Sequence, residues 1–214
     1  TIQLYHYRSH LSLSSAYFVF TKKYALKKAC ISRSYHLLQG GFLMKTVVLL
    51  YPTSCIYEIV ILNYFLHFAG KEVLFVSPDG TPITAMEGYS INVSGKLTDI
   101  APDEIELAIV PGGNIKAIDN PIVWNCLKDI KSRGGILAAI CAGVDVLDHA
   151  GILDGVVSTH SSDLDVAVTD QVITSRANGY VDFAIEVAKK MNLFQDEADL
   201  QETISFWKDY RRMQ

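Results

Sequence analysis

The residue with the most chemistry open to it is Cys141. It follows the apolar run 136–140 and precedes Ala142 and Gly143. That order reads as a buried strand turning sharply into a helix, the strained elbow on which α/β folds present a nucleophile. A thiol there faces unpaired backbone N–H groups and the positive end of a helix dipole, so the expectation is a lowered pKa. Most free cysteines are simply small buried hydrophobes, and that reading stands beside the reactive one until other residues decide between them.

Three further places supply what a nucleophile needs. Glu58 is expected in the first turn of a helix after the first strand of the body, where an acid is also favoured by the helix dipole alone. Gly112 and Gly113 follow Pro111, and their bare N–H groups, with that of Ala142, form a candidate oxyanion site. His160, at the expected end of a short strand, is the candidate histidine, although such a residue also serves as an ordinary surface group. A thiol beside a carboxyl disfavours two adjacent anions, so the pair shares a proton and titrates as a unit. A Cys–Glu or Cys–His pair suits nucleophilic attack on a carbonyl carbon.

The elements that would position these residues alternate. Apolar, β-branched runs at 45–51, 72–77, 106–110 and 136–140 read as strands. Helical spacing of apolar residues appears at 55–69, 121–132, 144–150, 180–191 and 196–212. A small hairpin is expected at 83–86 and 89–93, a short strand at 156–159 and a second hairpin from 166–168 to 172–175. The prediction is an α/β domain, a mostly parallel sheet with helices on both faces. In such sheets ligands bind beyond the carboxyl ends of the strands, where 52–58, 111–114, 141–143 and 159–162 all fall.

Charge divides the chain. Residues 1–43 hold six Lys and Arg and no acid, while the other 171 residues carry 13 bases against 23 acids. The acidic body presents no nucleic-acid-binding face. The four cysteines of the whole chain (Cys30, Cys55, Cys126, Cys141) make no CxxC pair and no metal-ligand spacing, which fits a reducing, cytoplasmic setting without disulfides or bound metal. Cys55 and Cys126 are read as packing residues, Cys55 near the mouth of the site. No run reaches the ~18 apolar residues of a membrane span. Residues 1–43 form a basic N-terminal extension, either a targeting segment or translation upstream of a start at Met44, and the domain is assigned to 44–214.

Taken together, Glu58, Ala-Ile-Val-Pro-Gly-Gly-Asn (108–114), Ala-Ala-Ile-Cys-Ala-Gly (138–143), Thr159-His160 and Ile173-Thr174-Ser175-Arg176 resemble the ThiJ/PfpI superfamily. The similarity is greatest to the branch containing the human parkinsonism-associated protein. It covers 45 to about 193, with the motifs in family order. The resemblance implies a flavodoxin-like sandwich, a homodimer, Cys141 as nucleophile, Glu58 as its carboxyl partner and His160 as the neighbouring histidine. It also implies that Gly112, Gly113 and Ala142 line the oxyanion site. Protease-like members carry histidine after the cysteine, where this chain has Ala142, so peptidase activity is not expected. Glutamine amidotransferases need a downstream His-Pro-Glu, and none is present. The segment between His160 and Val172 is shorter than in the resembled branch.

That branch is described as glyoxalases converting 2-oxoaldehydes to hydroxy acids without cofactor, with deglycase, chaperone and oxidative-stress roles as well. The expectation is therefore a cofactor-free enzyme on small reactive carbonyls, using Cys141 as nucleophile and Glu58 as general acid and base. Two alternatives use the same residues differently: a stress sensor or chaperone-like protein whose Cys141 is reversibly oxidised, and a non-catalytic interaction module that retains the elbow as architecture.

Overall fold

The computed structural model describes residues 44–211; the basic segment 1–43 lies outside the described residues. The strands are β1 (Lys45–Leu49), β2 (Val73–Ser77), β3 (Ile83–Thr84), β4 (Ser90–Ile91), β5 (Gly95–Lys96), β6 (Ile105–Val110), β7 (Ile136–Ile140), β8 (Val166–Val168) and β9 (Val172–Ser175). The helices longer than one turn are α1 (Val60–Phe68), α2 (Pro121–Ser132), α3 (Gly143–His149), α4 (Tyr180–Lys190) and α5 (Glu197–Trp207).

Seven strands form one sheet in the order β5-β2-β1-β6-β7-β9-β8, and β3 pairs with β4 in a separate hairpin. All pairings in the main sheet are parallel except β8 with β9. Because side chains alternate across a strand, β1 sends Val47 and Leu49 to one core and Val48 to the other, where Leu50 just beyond the strand joins it. The first core is closed by Val123, Leu127 and Ile130 of α2 and by Val146 and Leu147 of α3. The second is closed by Leu62 and Leu66 of α1 and by Phe183, Ala184 and Val187 of α4. Strands apolar on both faces, with helices covering each side, give the expected mostly parallel α/β sandwich.

Local chemistry sets most boundaries. Asn120 caps α2, its side chain accepting from the N–H groups of Ile122 and Val123, and Pro121 takes the first helical position. The Asp196 carboxylate caps α5 by accepting from Asp199 N–H, and Trp207 at the far end packs on Tyr64 and Phe65 of α1 at ring separations of 5.8 and 5.9 Å.

Two expectations are corrected. The helix placed at 55–69 begins only at Val60. Cys55 N–H donates to the Gly112 carbonyl and Tyr57 N–H to the Glu87 carboxylate, which holds 55–59 in a turn. The strand placed at 156–159 does not form. Thr159 N–H bonds the Thr174 side chain, and the Ser158 hydroxyl accepts from His160 and Ser161 N–H. Side-chain bonding of this local kind replaces a strand ladder.

Candidate active site

The elbow forms as its sequence suggests. Strand β7 ends at Ile140, and Cys141 follows with φ of 57°. That left-handed conformation costs a non-glycine residue ~1–3 kcal/mol and persists only where its surroundings enforce it. Here Cys141 N–H donates to Ser175 O of neighbouring β9 at 2.9 Å, and Cys141 O accepts from Val144 N–H at 3.1 Å. Gly143 allows α3 to start hard against β6, since a Cβ there would lie 2.2 Å from Val110 O.

Two loops converge on the thiol. The first, after β1, is anchored by Tyr51, fully buried, whose hydroxyl donates to Pro111 O at 2.7 Å. Thr53 Oγ1 accepts from Asn114 N–H at 2.9 Å, and Cys55 N–H reaches Gly112 O at 2.9 Å. The second loop, 111–114, is thereby stitched to the first along its length. Gly113, with φ of 139°, takes a conformation natural to glycine, and a Cβ there would lie 2.3 Å from Thr53 O.

Glu58 is the buried charge-bearing group of this junction, 1% exposed. Its Oε2 accepts from Gly112 N–H at 2.7 Å. A Cβ added to Gly112 would lie 2.8 Å from that same oxygen, 2.8 Å from Cys141 Sγ and 2.7 Å from Cys141 Cβ. Glycine at 112 is therefore what lets thiol and carboxyl meet across one bare Cα. Glu58 Oε1 is buried without a hydrogen-bond partner. The Cys141 thiol and Tyr57 hydroxyl are close enough to influence the carboxyl's charge without meeting the geometry of a hydrogen bond to that oxygen.

Electrostatics at the pair runs against one expectation. Burial raises the Glu58 pKa, opposed chiefly by the Gly112 N–H. The Cys141 thiol is also pushed up, first by burial and then by the neighbouring Glu58 charge, with the Ala142 N–H pulling the other way. The elbow alone was expected to lower this pKa. It does not, because a single N–H and a seven-residue helix are outweighed by desolvation and a buried carboxyl. The two groups oppose each other's ionisation, so whichever ionises first disfavours the second.

The oxyanion donors are altered in one respect. Gly112 N–H, expected to face a substrate oxygen, is committed to Glu58. The Ala142 N–H lies at the thiol, and the Gly113 N–H makes no hydrogen bond among the described residues. His160 is turned outward. Its Nε2 lies 3.2 Å from Asp145 Oδ1 and its Nδ1 3.5 Å from Asp148 Oδ2, both on α3. Neither ring nitrogen bonds Cys141 or Glu58, so the structure brings together Cys141, Glu58 and Gly112 and leaves His160 on the rim.

Sequence reasoning passed over Tyr51 as part of this junction, and placed Cys55 near the mouth of the site without its backbone bond to Gly112. Tyr51 looked like the last residue of an apolar run, and its buried hydroxyl was the one available signal. Among the described residues no cluster of His, Cys, Asp and Glu is arranged to hold a metal, and no helix is long and apolar enough to cross a membrane.

Residues 44–190 match the model of the DJ-1/PfpI family. Among curated proteins, the chain is 27% identical over 150 residues to a glutathione-independent glyoxalase, DJR-1.2, of Caenorhabditis elegans, covering 63% of this chain and 81% of that protein. It is 34% identical over 94 residues to a deglycase of Pyrococcus abyssi, covering 40% of this chain and 53% of the relative, about half its length. Among solved structures, a DJ-1 superfamily protein of Agrobacterium tumefaciens superposes with a TM-score of 0.70 at 23% identity, covering 78% of this chain and all of that one (100%). DJ-1beta of Drosophila melanogaster superposes with a TM-score of 0.63 at 23% identity, covering 76% and 96%. At these identities the solved structures carry the fold alone.

Proposed function

Because the chain belongs to the DJ-1/PfpI family, we propose that it is a cysteine-dependent, cofactor-free enzyme acting on small reactive carbonyls, 2-oxoaldehydes first among them. The observation that carries this reading is the meeting of Cys141 Sγ and a buried Glu58 carboxyl at the Cα of Gly112. The names of its relatives, a glyoxalase and deglycases, point to the same substrate class.

Cys141 adds through sulfur to the aldehyde carbon, and the thiol proton passes by way of Glu58 to the former carbonyl oxygen, giving a hemithioacetal. The N–H groups of Ala142 and Gly113 hold that oxygen while it is anionic. Glu58, as carboxylate, then takes the C–H proton from the carbon bearing sulfur and returns it to the adjacent carbon through an enediol. The product of this transfer is a 2-hydroxy thioester. Water cleaves it, releasing the hydroxy acid and restoring the thiol. Glu58 suits both directions of transfer because burial holds its pKa above the ordinary carboxylate value. Gly112 N–H anchors Oε2, leaving the partnerless Oε1 as the oxygen that carries the travelling proton. His160, paired with Asp145 and Asp148, shapes the rim.

A homodimer is part of the same proposal. Tyr57, Met86 and Tyr89 are exposed large apolar residues, and the β3–β4 hairpin is tied to the loop after β1 through Thr53 N–H to Thr84 O and Met86 N–H to Ser54 O. An apolar surface of this kind beside a site suits a second copy. The test of the enzymatic reading is methylglyoxal consumption by purified protein without glutathione. Loss of turnover in Cys141→Ala and Glu58→Gln is expected, and turnover persisting in Cys141→Ala overturns the reading.

A further inference from the structure

The described cysteines are Cys55, Cys126 and Cys141, all free and all partly buried. Cys126 packs against the core on one face of the sheet and Cys141 against the core on the other, so the sheet separates them. Cys55 is differently placed. Its N–H donates to Gly112 O at 2.9 Å, and the Cα of the same glycine faces Cys141, with a Cβ there reaching within 2.8 Å of Sγ. Gly112 thus touches both residues, the backbone of Cys55 through its carbonyl and the thiol of Cys141 at its bare Cα. Cys55 also senses the charges around it: burial first, then Glu58 and Cys141, push its pKa up to about 11.

We propose that Cys55 is a second reactive thiol of this site, which closes an intramolecular disulfide with Cys141 once a hydroperoxide has oxidised Cys141. In the first step the Cys141 thiolate attacks the distal oxygen of the hydroperoxide. The O–O bond breaks, the sulfur becomes a sulfenic acid, and the peroxide is reduced by two electrons to an alcohol, or to water for hydrogen peroxide. In the second step Cys55 sulfur attacks Cys141 sulfur. The S–S bond forms, the S–O bond breaks, and hydroxide leaves with the Cys55 proton as water. Conversion of the thiolate to sulfenic acid removes the Cys141 charge that opposes ionisation of Cys55, so the second thiol becomes easier to deprotonate when it is needed. A dithiol reductant reverses the bridge by exchange. The bridge would protect Cys141 from further, irreversible oxidation, and it requires a reactive Cys141 but not carbonyl turnover.

The experiment treats the full chain with stoichiometric hydrogen peroxide, then maps every cysteine by alkylation, proteolysis and mass spectrometry, with Cys55→Ser in parallel. The expected wild-type product is a cross-linked peptide pair joining Cys55 to Cys141, about 2 Da lighter than the two thiols and restored by dithiothreitol. In Cys55→Ser the bridge is lost, and Cys141 proceeds to the sulfinic acid, which dithiothreitol does not restore. Sulfinic acid at Cys141 with Cys55 free in wild-type protein overturns the proposal, as does a bridge from Cys141 to Cys30, to Cys126 or to another chain. Because wild-type mapping decides the matter, the outcome does not depend on the folding of the variant. Methylglyoxal turnover measured on the same reduced protein reports on the enzymatic reading separately.

Discussion

Replacing Gly112 with alanine adds one methyl group at the junction where thiol and carboxyl meet. Its backbone is outside the left-handed region, so alanine is conformationally acceptable and the cost is steric alone. The new Cβ lies 2.7 Å from Cys141 Cβ, 2.8 Å from Sγ and 2.8 Å from Glu58 Oε2. Carbon atoms pack comfortably at ~3.5–4.0 Å, so relief demands a displacement of about 1 Å. Cys141 Cβ is one bond from an elbow pinned to Ser175, and Glu58 is pinned to the Gly112 N–H. Neither can yield without losing its place. Overpacking of a tight site costs ~1–3 kcal/mol, and a misplacement of about 1 Å costs on the order of 10²-fold in rate. Urea unfolding gives the first quantity and kcat/KM for methylglyoxal the second, with the labelling rate of Cys141 as a third reading. Gly112→Ala with wild-type stability, turnover and labelling would refute the idea that this glycine is what lets the pair meet.

Other perturbations separate the roles of neighbouring groups. Glu58 has a raised pKa in the fold, so its contribution to stability is fully present below the ordinary value near 4.5 and is lost as pH rises through the folded value. The difference in unfolding free energy between wild type and Glu58→Gln should therefore move in favour of the variant between pH 4 and pH 7. A flat difference across urea titrations at those pH values contradicts this. His160→Ala removes only rim pairing with Asp145 and Asp148, worth about 0–1 kcal/mol at exposed positions. Its kcat should fall far less than that of Glu58→Gln, and an equal fall would put the imidazole in the chemistry. Tyr51→Phe strips the buried donor from Pro111 O and should cost ~1–3 kcal/mol in chemical denaturation; a neutral result would mean that water enters to take its place.

The parts of the fold that could be read from sequence are those decided by neighbours in the chain. Pro121–Ser132 falls where its proline, cap and periodicity put it, and the elbow follows from an apolar strand running into Cys-Ala-Gly. What escaped was set by residues far away. Helix α1 starts late because Gly112 and Glu87 take the N–H groups of Cys55 and Tyr57. The strand expected before His160 is absent because Thr174 captures Thr159. The direction of the Cys141 pKa was misjudged for the same reason, since the burial and the Glu58 charge that raise it are products of tertiary packing. The pairing of Cys141 with Glu58 was expected from family resemblance, but the glycine that separates them and the Cys55 contact beneath it needed the folded chain.

The central claim, that Cys141 and Glu58 act as one proton-sharing pair on a carbonyl, is tested most directly by methylglyoxal turnover in the absence of glutathione. Wild type, Cys141→Ala and Glu58→Gln would be compared across pH, with the product identified as the hydroxy acid. The account predicts lactate formation by wild type and its loss in both variants. Lactate formed by Cys141→Ala at the wild-type rate, or no difference between wild type and Glu58→Gln at any pH, would contradict it.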